Sequence, residues 1–245
     1  MSLETRYSQY DTLAFLYSGL ESSKVSLMLL EKFILQDIPN ESHILDLCCG
    51  TGELVQLLLE KGYQVTGLDG SEEMLHYARE NAPDAEFILD DSRFFKLPPI
   101  FHAVVSANNS LSYVTSLEEL ISVFHNVYAA LQSNGWFAFD LNQEERYETD
   151  EPTSTSDFTD DYAMIDCFSY DPEEKIAKSN LVMFRLINGE WQRSNLTFIQ
   201  KAYFTAEVQS ALEKVGFTEI SIYDAGRNLG VPQMEGRTVY FCRKL

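Results

Sequence analysis

Residues 44–54 read ILDLCCGTGEL: an apolar run with one carboxylate in it, Asp46, then Cys48, Cys49, Gly50, Thr51 and Gly52, then leucines again. A glycine-rich turn between a strand and a helix lets a ligand approach bare backbone beside the positive end of that helix. Everything else in the chain bears on which ligand this turn is built for.

The pattern around the turn repeats. HILDLCC reads as a strand and TGELVQLLLEKG as a helix, with Leu54, Leu57 and Leu58 on one face and Gly62 as its stop. YQVTGLD is a second strand, SEEMLHYARENA a helix opened by Ser71, AEFILDD a third strand and FHAVVSAN a fourth. The helix SLEELISVFHNVYAAL opens on the capping box Ser116-x-x-Glu119, and GWFAFDLN is a fifth strand. Such alternation predicts an α/β fold, a doubly wound and mostly parallel sheet covered on both faces. Upstream, residues 7–36 look helical and Tyr-rich, with Tyr7, Tyr10 and Tyr17 close together, and are expected to lie over the sheet.

After residue 142 the texture changes. Residues 143–174 are densely acidic and read as a solvated, mobile surface; KSNLVMFRLI and EWQRSNLTFIQ follow as two β runs joined by Asn188-Gly189, a strong hairpin signal. We therefore expect an inserted antiparallel β lobe at 143–203, and a main domain made of 1–142 and 204–245, closed by the helix TAEVQSALEKVG and the strands TEISIYD and TVYFCRK.

Charge narrows the partners. The 245 residues carry 18 Lys+Arg against 38 Asp+Glu, a formal charge of −20 that repels nucleic-acid phosphates and anionic membranes. No stretch approaches the roughly 20 apolar residues of a membrane span, and no secretion signal opens the chain, so a cytoplasmic location is expected. Cys48, Cys49, Cys167 and Cys242 form no CxxC pair, and His43, His76, His102 and His125 show no ligand spacing, so no metal is expected. Adjacent Cys48 and Cys49 read as small residues at a tight turn.

Dinucleotide-binding turns follow G-x-G-x-x-G, with a pyrophosphate on the helix N-terminus. Here Gly50-Thr51-Gly52 is followed by Glu53, Leu54 and Val55, so the third glycine is missing, and a pyrophosphate would meet Asp46 and Glu53. An acidic turn suits a cationic ligand. Asp69 closes the second strand, where a carboxylate can accept both hydroxyls of a ribose. A nucleoside with a positively charged amino-acid tail matches this set.

This combination resembles the class I S-adenosylmethionine-dependent methyltransferases of small-molecule type. LDLCCGTG is similar to their first motif, with Asp46, Gly50 and Gly52 in place and Cys48 where a glycine usually stands. The resemblance implies a Rossmann-like, seven-stranded sheet and S-adenosylmethionine as cofactor, released as S-adenosylhomocysteine. GLDGSEEML implies Asp69 on the ribose and Gly70 and Met74 beside the adenine. FILDDSR implies Asp91 at the adenine amino group, with the Ser92 backbone near the ring; neighbouring Asp90 offers an alternative register. FHAVVSANNSLSYV resembles the fourth-strand motif, with His102 where the family often has Asp, and implies Asn108 on the cofactor. YDTLAFLYSGL looks like the family's N-terminal entry segment, with Ser18 in place of its last Asp; Tyr10 and Tyr17 are then candidate lid residues over the sulfonium, whose charge an aromatic face attracts.

Asn109, Ser110, Tyr113 and Asn142 follow strand C-terminal ends, where ligands bind in such sheets, and are candidates for the substrate side. The expected activity is methyl transfer to nitrogen or oxygen of a small-molecule acceptor, by positioning and desolvation, in a monomer or homodimer. No residue is marked as a general base. The competing readings are a nucleotide-dependent oxidoreductase and a non-catalytic protein that binds the same cofactor.

Overall fold

The computed structural model describes residues 3–17, 22–148 and 153–245; Ser18, named above, lies outside them. Five parallel strands carry the first half of the fold: β1 (His43–Leu47), β2 (Gln64–Asp69), β3 (Glu86–Leu89), β4 (Phe101–Ser106) and β5 (Leu131–Asn142). With β10 (Thr218–Asp224) and β11 (Arg237–Lys244) they form a seven-stranded sheet in the order β10-β11-β5-β4-β1-β2-β3, in which β11 runs antiparallel to both neighbours. Strand order reverses between β1 and β4, and the crevice at their C-terminal ends is where such sheets bind ligands.

The β1–β5 strands are hydrophobic in near-continuous runs because both faces are covered. On one face, α5 (Leu117–Ala130) and α7 (Thr205–Val215) bury Leu120, Phe124, Val208 and Leu212 against Leu45, Val104 and Phe137. The other face takes α2 (Ser22–Leu30), its π-helical continuation Glu31–Leu35, α3 (Glu53–Glu60) and α4 (Glu72–Asn81), with Ile34, Val55 and Leu75 packed on Ile44 and Val105. Helix starts follow the sequence. The Met74 N–H donates to Ser71 Oγ at 3.2 Å, and the Glu119 N–H to Ser116 Oγ at 3.4 Å.

Three expectations are corrected. Residues 143–174 hold α6 (Glu144–Tyr147) and two strands, β6 (Thr153–Phe158) and β7 (Tyr162–Asp171), where a mobile surface was expected. With β8 (Ile176–Ile187) and β9 (Glu190–Lys201) they make a separate antiparallel sheet, β6-β7-β8-β9. The acidic residues concealed an alternation in β7 that only pairing with β8 makes favourable. Second, α1 (Leu3–Tyr17) does not lie over the large sheet. Its Leu13, Phe15 and Leu16 pack on Leu181, Met183 and Phe198 of the small sheet, and its Asp11 accepts the Ser71 hydroxyl proton at 2.5 Å, so α1 bridges the small sheet to α4. Third, β3 ends at Leu89, immediately before the acidic pair and so two residues short of the expected strand end. Among the described residues no helix is long and apolar enough to cross a membrane.

Candidate active site

The C-terminal ends of β1, β2 and β4 open into a cavity of about 400 Å³, walled on its far side by α1 and β9. Its floor is the turn after β1. Cys48 and Cys49 donate their N–H groups to Leu68 O at 2.7 and 3.1 Å, which bends the chain out of the sheet. Cys48 sits at φ 63°, a left-handed conformation unusual for a side-chain-bearing residue, where the family motif has glycine. Gly50, at φ 55°, has nothing within 4 Å of where a Cβ would stand, so its backbone faces open cavity. Gly52 does a different job from the expected one: it does not line the cavity, and a Cβ there would meet Ala78 Cβ at 3.0 Å, so it permits α3 to pack on α4.

Asp69 ties the two turns together. Its Oδ2 accepts the Gly50 N–H and its Oδ1 the Ser71 N–H, each at 2.9 Å, and both oxygens retain acceptor capacity toward the cavity. Burial nonetheless raises its pKa above the usual carboxylate range. Asp46 is buried beside it, its pKa pushed well up by desolvation and then by the charges of Asp69 and Glu53. No cation among the described residues is paired with Asp46, which stands with Glu53 and Asp69 on the cavity wall.

Cys48, Gly70, Met74, Ser92, Asn108, Ser110, Tyr10, Tyr17 and Tyr113 also line the cavity. Tyr10 makes edge contacts with Tyr113 and Phe198, with ring centroids 5.6 and 5.2 Å apart. Asp91 does not line it. Its carboxylate takes the Arg93 guanidinium at 2.6 and 2.8 Å, and Asp90 stands on the wall in its place.

Asn109 and Asn142 also lie behind the wall, not on it. The Asn109 N–H donates to Asp140 Oδ2 at 2.8 Å, and its Oδ1 accepts the Asn142 N–H at 2.6 Å and the Ser112 hydroxyl. Its Nδ2 donates to Tyr147 Oη at 3.2 Å and Gln200 Oε1 at 3.4 Å. Asp140 is in turn paired with Arg237 at 3.2 Å, and Arg237 Nε donates to Asn142 Oδ1 at 3.0 Å. This buried network holds two consecutive left-handed residues, Asn108 (φ 59°) and Asn109 (φ 62°), so that Asn108 and Ser110 reach the cavity. Both polar groups of the Asn109 side chain are occupied, which leaves it little to offer a substrate.

Sequence reasoning missed Tyr7, Gln9, Arg93, Thr197 and Phe198 on the cavity wall. Of these only Tyr7 carried a signal, as part of the tyrosine cluster. Gln9 reaches β9, where its Oε1 accepts the Thr197 N–H at 2.6 Å.

The donor set suits a nucleoside bearing positive charge: bare backbone at Gly50, a carboxylate with both oxygens presented at Asp69, and an unanswered acid at Asp46. Residues 44–135 match the family model of the methyltransferase domain. YqeM of Bacillus subtilis, which bears the name of a methyltransferase, is 32% identical over 192 residues, spanning 76% of this chain and 77% of its own. The chain belongs to the class I S-adenosylmethionine-dependent methyltransferases. Among these methyltransferases, the dTDP-3-amino-3,4,6-trideoxy-alpha-D-glucopyranose N,N-dimethyltransferase of Streptomyces venezuelae is 40% identical over 82 residues, 34% of this chain and 35% of its own. An S-adenosylmethionine-dependent methyltransferase from Clostridium acetobutylicum has the same fold, with a TM-score of 0.78 at 19% identity, covering 99% of each chain. Within the methyltransferase fold, Cys48 in place of a glycine is accommodated because its side chain turns to Ser92 while the backbone keeps the left-handed bend.

Proposed function

We propose that the cavity binds S-adenosylmethionine and that the protein transfers its methyl group to a nitrogen or oxygen of a small-molecule acceptor. The observation that carries this reading is Asp46, a buried acid with no cation beside it among the described residues, opening beside Asp69 onto the uncovered backbone of Gly50. When bound, the cofactor supplies an electrophilic methyl on a sulfonium. Asp69 would accept the ribose hydroxyls, Gly70, Met74 and the Ser92 backbone would flank the adenine, and Asp90 takes the place given above to Asp91. Asp46, with Asn108, would face the amino-acid tail.

Methyl transfer from a sulfonium is an in-line displacement, so orientation and exclusion of water supply most of the rate. Tyr10, Tyr17 and Tyr113, backed by Phe198, offer an electron-rich wall for that purpose. Asp46, Asp69 and Asp90 line the cavity, and the guanidinium of Arg93 is already held by Asp91 and Glu119. Such a lining repels anionic acceptors and favours a neutral or amine-bearing one, and the amino-sugar relative supports an amine. Residues 143–203 would then serve as an acceptor-side lobe, with β9 as its contribution to the wall.

Calorimetric titration with S-adenosylmethionine, S-adenosylhomocysteine and NAD tests the reading. We expect the first two to bind, NAD not to, and Asp69→Ala to lose about 1.5–3 kcal/mol of affinity. Binding of NAD without either sulfur compound overturns it.

A further inference from the structure

One backbone group sets the direction of the hydrogen bonds behind the cavity wall. The Asn142 N–H can only donate, so the oxygen of the Asn109 amide faces it and the amide nitrogen faces Gln200. Gln200 Oε1 therefore accepts, from Asn109 Nδ2 at 3.4 Å and from the Tyr147 hydroxyl at 2.8 Å. The Gln200 nitrogen is left to donate, and it does so to Tyr113 Oη, where it fills one lone pair and cannot take the phenol proton. That proton is drawn elsewhere. Asp166 of β7 pairs across the small sheet with Leu181, which packs with Tyr10 and Tyr113 in one apolar cluster, so Asp166 stands on the sheet face turned to Tyr113. The Ser179 hydroxyl donates to its Oδ1 at 2.6 Å. Burial, with the Asp166 charge among the further causes, raises the Tyr113 pKa and keeps the phenol protonated. A hydroxyl dipole near an anion turns its hydrogen toward it. One lone pair of Tyr113 Oη then remains, on a residue that lines the cavity where α1 and β9 wall it, with Tyr10 and Phe198 at 5.6 and 6.4 Å between ring centroids.

We propose that Tyr113 Oη holds the methyl acceptor by accepting an N–H of a primary or secondary amine, and that Gln200 and Asp166 are positioning residues that fix the direction of its hydroxyl. The proposal rests on the methyltransferase reading above and adds a limit on the acceptor. A nitrogen held through its N–H keeps its lone pair free for attack, whereas a phenol hydrogen turned into the cavity would occupy that lone pair. The lone pair forms the N–C bond as the C–S bond breaks, the C–S electron pair passes to sulfur, and the ammonium formed gives its proton to solvent. A tertiary amine offers Tyr113 no N–H. Transfer to a primary amine should therefore end at the dimethylated nitrogen.

The test is methyl transfer by the full chain from tritiated S-adenosylmethionine to benzylamine and to D-glucosamine, each beside its N,N-dimethyl derivative. Calorimetric binding of S-adenosylhomocysteine is measured first, so that a failure of the cofactor reading is seen by itself. We expect methylation of a primary amine, ending at the dimethyl product by mass spectrometry, and none of the tertiary amines. Tyr113→Phe keeps the ring and should lower kcat/KM by about tenfold or more with S-adenosylhomocysteine binding unchanged. Asp166→Asn keeps the shape but puts a donor where an acceptor stood, which sends the Tyr113 hydrogen toward the amine. It should lower kcat by about tenfold while KM, S-adenosylhomocysteine binding and far-ultraviolet dichroism stay near the wild type, a split that a loss of structure would not give. Quaternary product from a tertiary amine, a Tyr113→Phe variant as fast as the wild type, an unchanged kcat in Asp166→Asn, or no transfer to either primary amine by a protein that binds S-adenosylhomocysteine each overturns the proposal. A protein that binds no S-adenosylhomocysteine overturns the cofactor reading and the proposal with it.

Discussion

The ring of Tyr7 rests on Gly70: a Cβ built at Gly70 would lie 2.4 Å from the ring carbons. Since Tyr7 belongs to α1 and Gly70 to the turn after β2, this contact sets how closely α1 covers the cavity. Gly70→Ala should push α1 outward at a cost of about 1–3 kcal/mol, read as weaker S-adenosylhomocysteine binding by calorimetry. Combining it with Tyr7→Ala should restore part of the loss, which a defect confined to the β2 turn would not allow.

Asp46 makes stability depend on pH. Its folded pKa is raised above the ordinary 3.8 by burial and by Asp69 and Glu53, so the native state binds more protons than the unfolded chain between 3.8 and the raised value. The stabilisation from the protonated form is therefore fully present below that window and is lost as pH rises through it. Asp46→Asn should be more stable than the wild type at neutral pH without ligand, and the advantage should vanish as pH falls toward 3.8. Thermal unfolding across pH reads this directly. The same variant should bind S-adenosylmethionine less tightly, with a flatter pH dependence.

The acidic pair after β3 has divided roles. Asp91→Ala leaves the Arg93 guanidinium without its closest partner and should cost about 3 kcal/mol of stability in urea unfolding. Asp90→Ala should change stability by no more than about 0.5 kcal/mol yet weaken S-adenosylhomocysteine binding. The opposite pattern would return the adenine contact to Asp91.

Asn109 is tested by its backbone as well as its amide. Either truncation leaves polar groups of Asn142, Ser112 and Gln200 short of a partner and should cost about 1–3 kcal/mol. At φ 62°, however, alanine bears a strain that glycine does not. Asn109→Gly should therefore be the milder change, by about 1 kcal/mol after allowance for the greater freedom of glycine in the unfolded chain. Equal losses in denaturant unfolding would refute the conformational part.

Local patterns in the sequence were enough to place the β1–β5 strands, their helices, the 188–189 hairpin and the cofactor-side turn. Each depends on neighbours in the chain: apolar runs set the buried strands, Ser71 and Ser116 set helix starts, and Gly50 sets a left-handed bend. Tertiary structure decided what depends on distant partners. Nothing local distinguishes Asp90 from Asp91 until Arg93 and Glu119 claim one of them, and Asn109 reads as a ligand until Asp140, Tyr147 and Gln200 occupy it. Strands β6 and β7 were hidden for the same reason. Acidic, polar segments bury too little to order themselves, and their alternation becomes favourable only when β8 pairs with β7 and α1 covers the far side of the sheet.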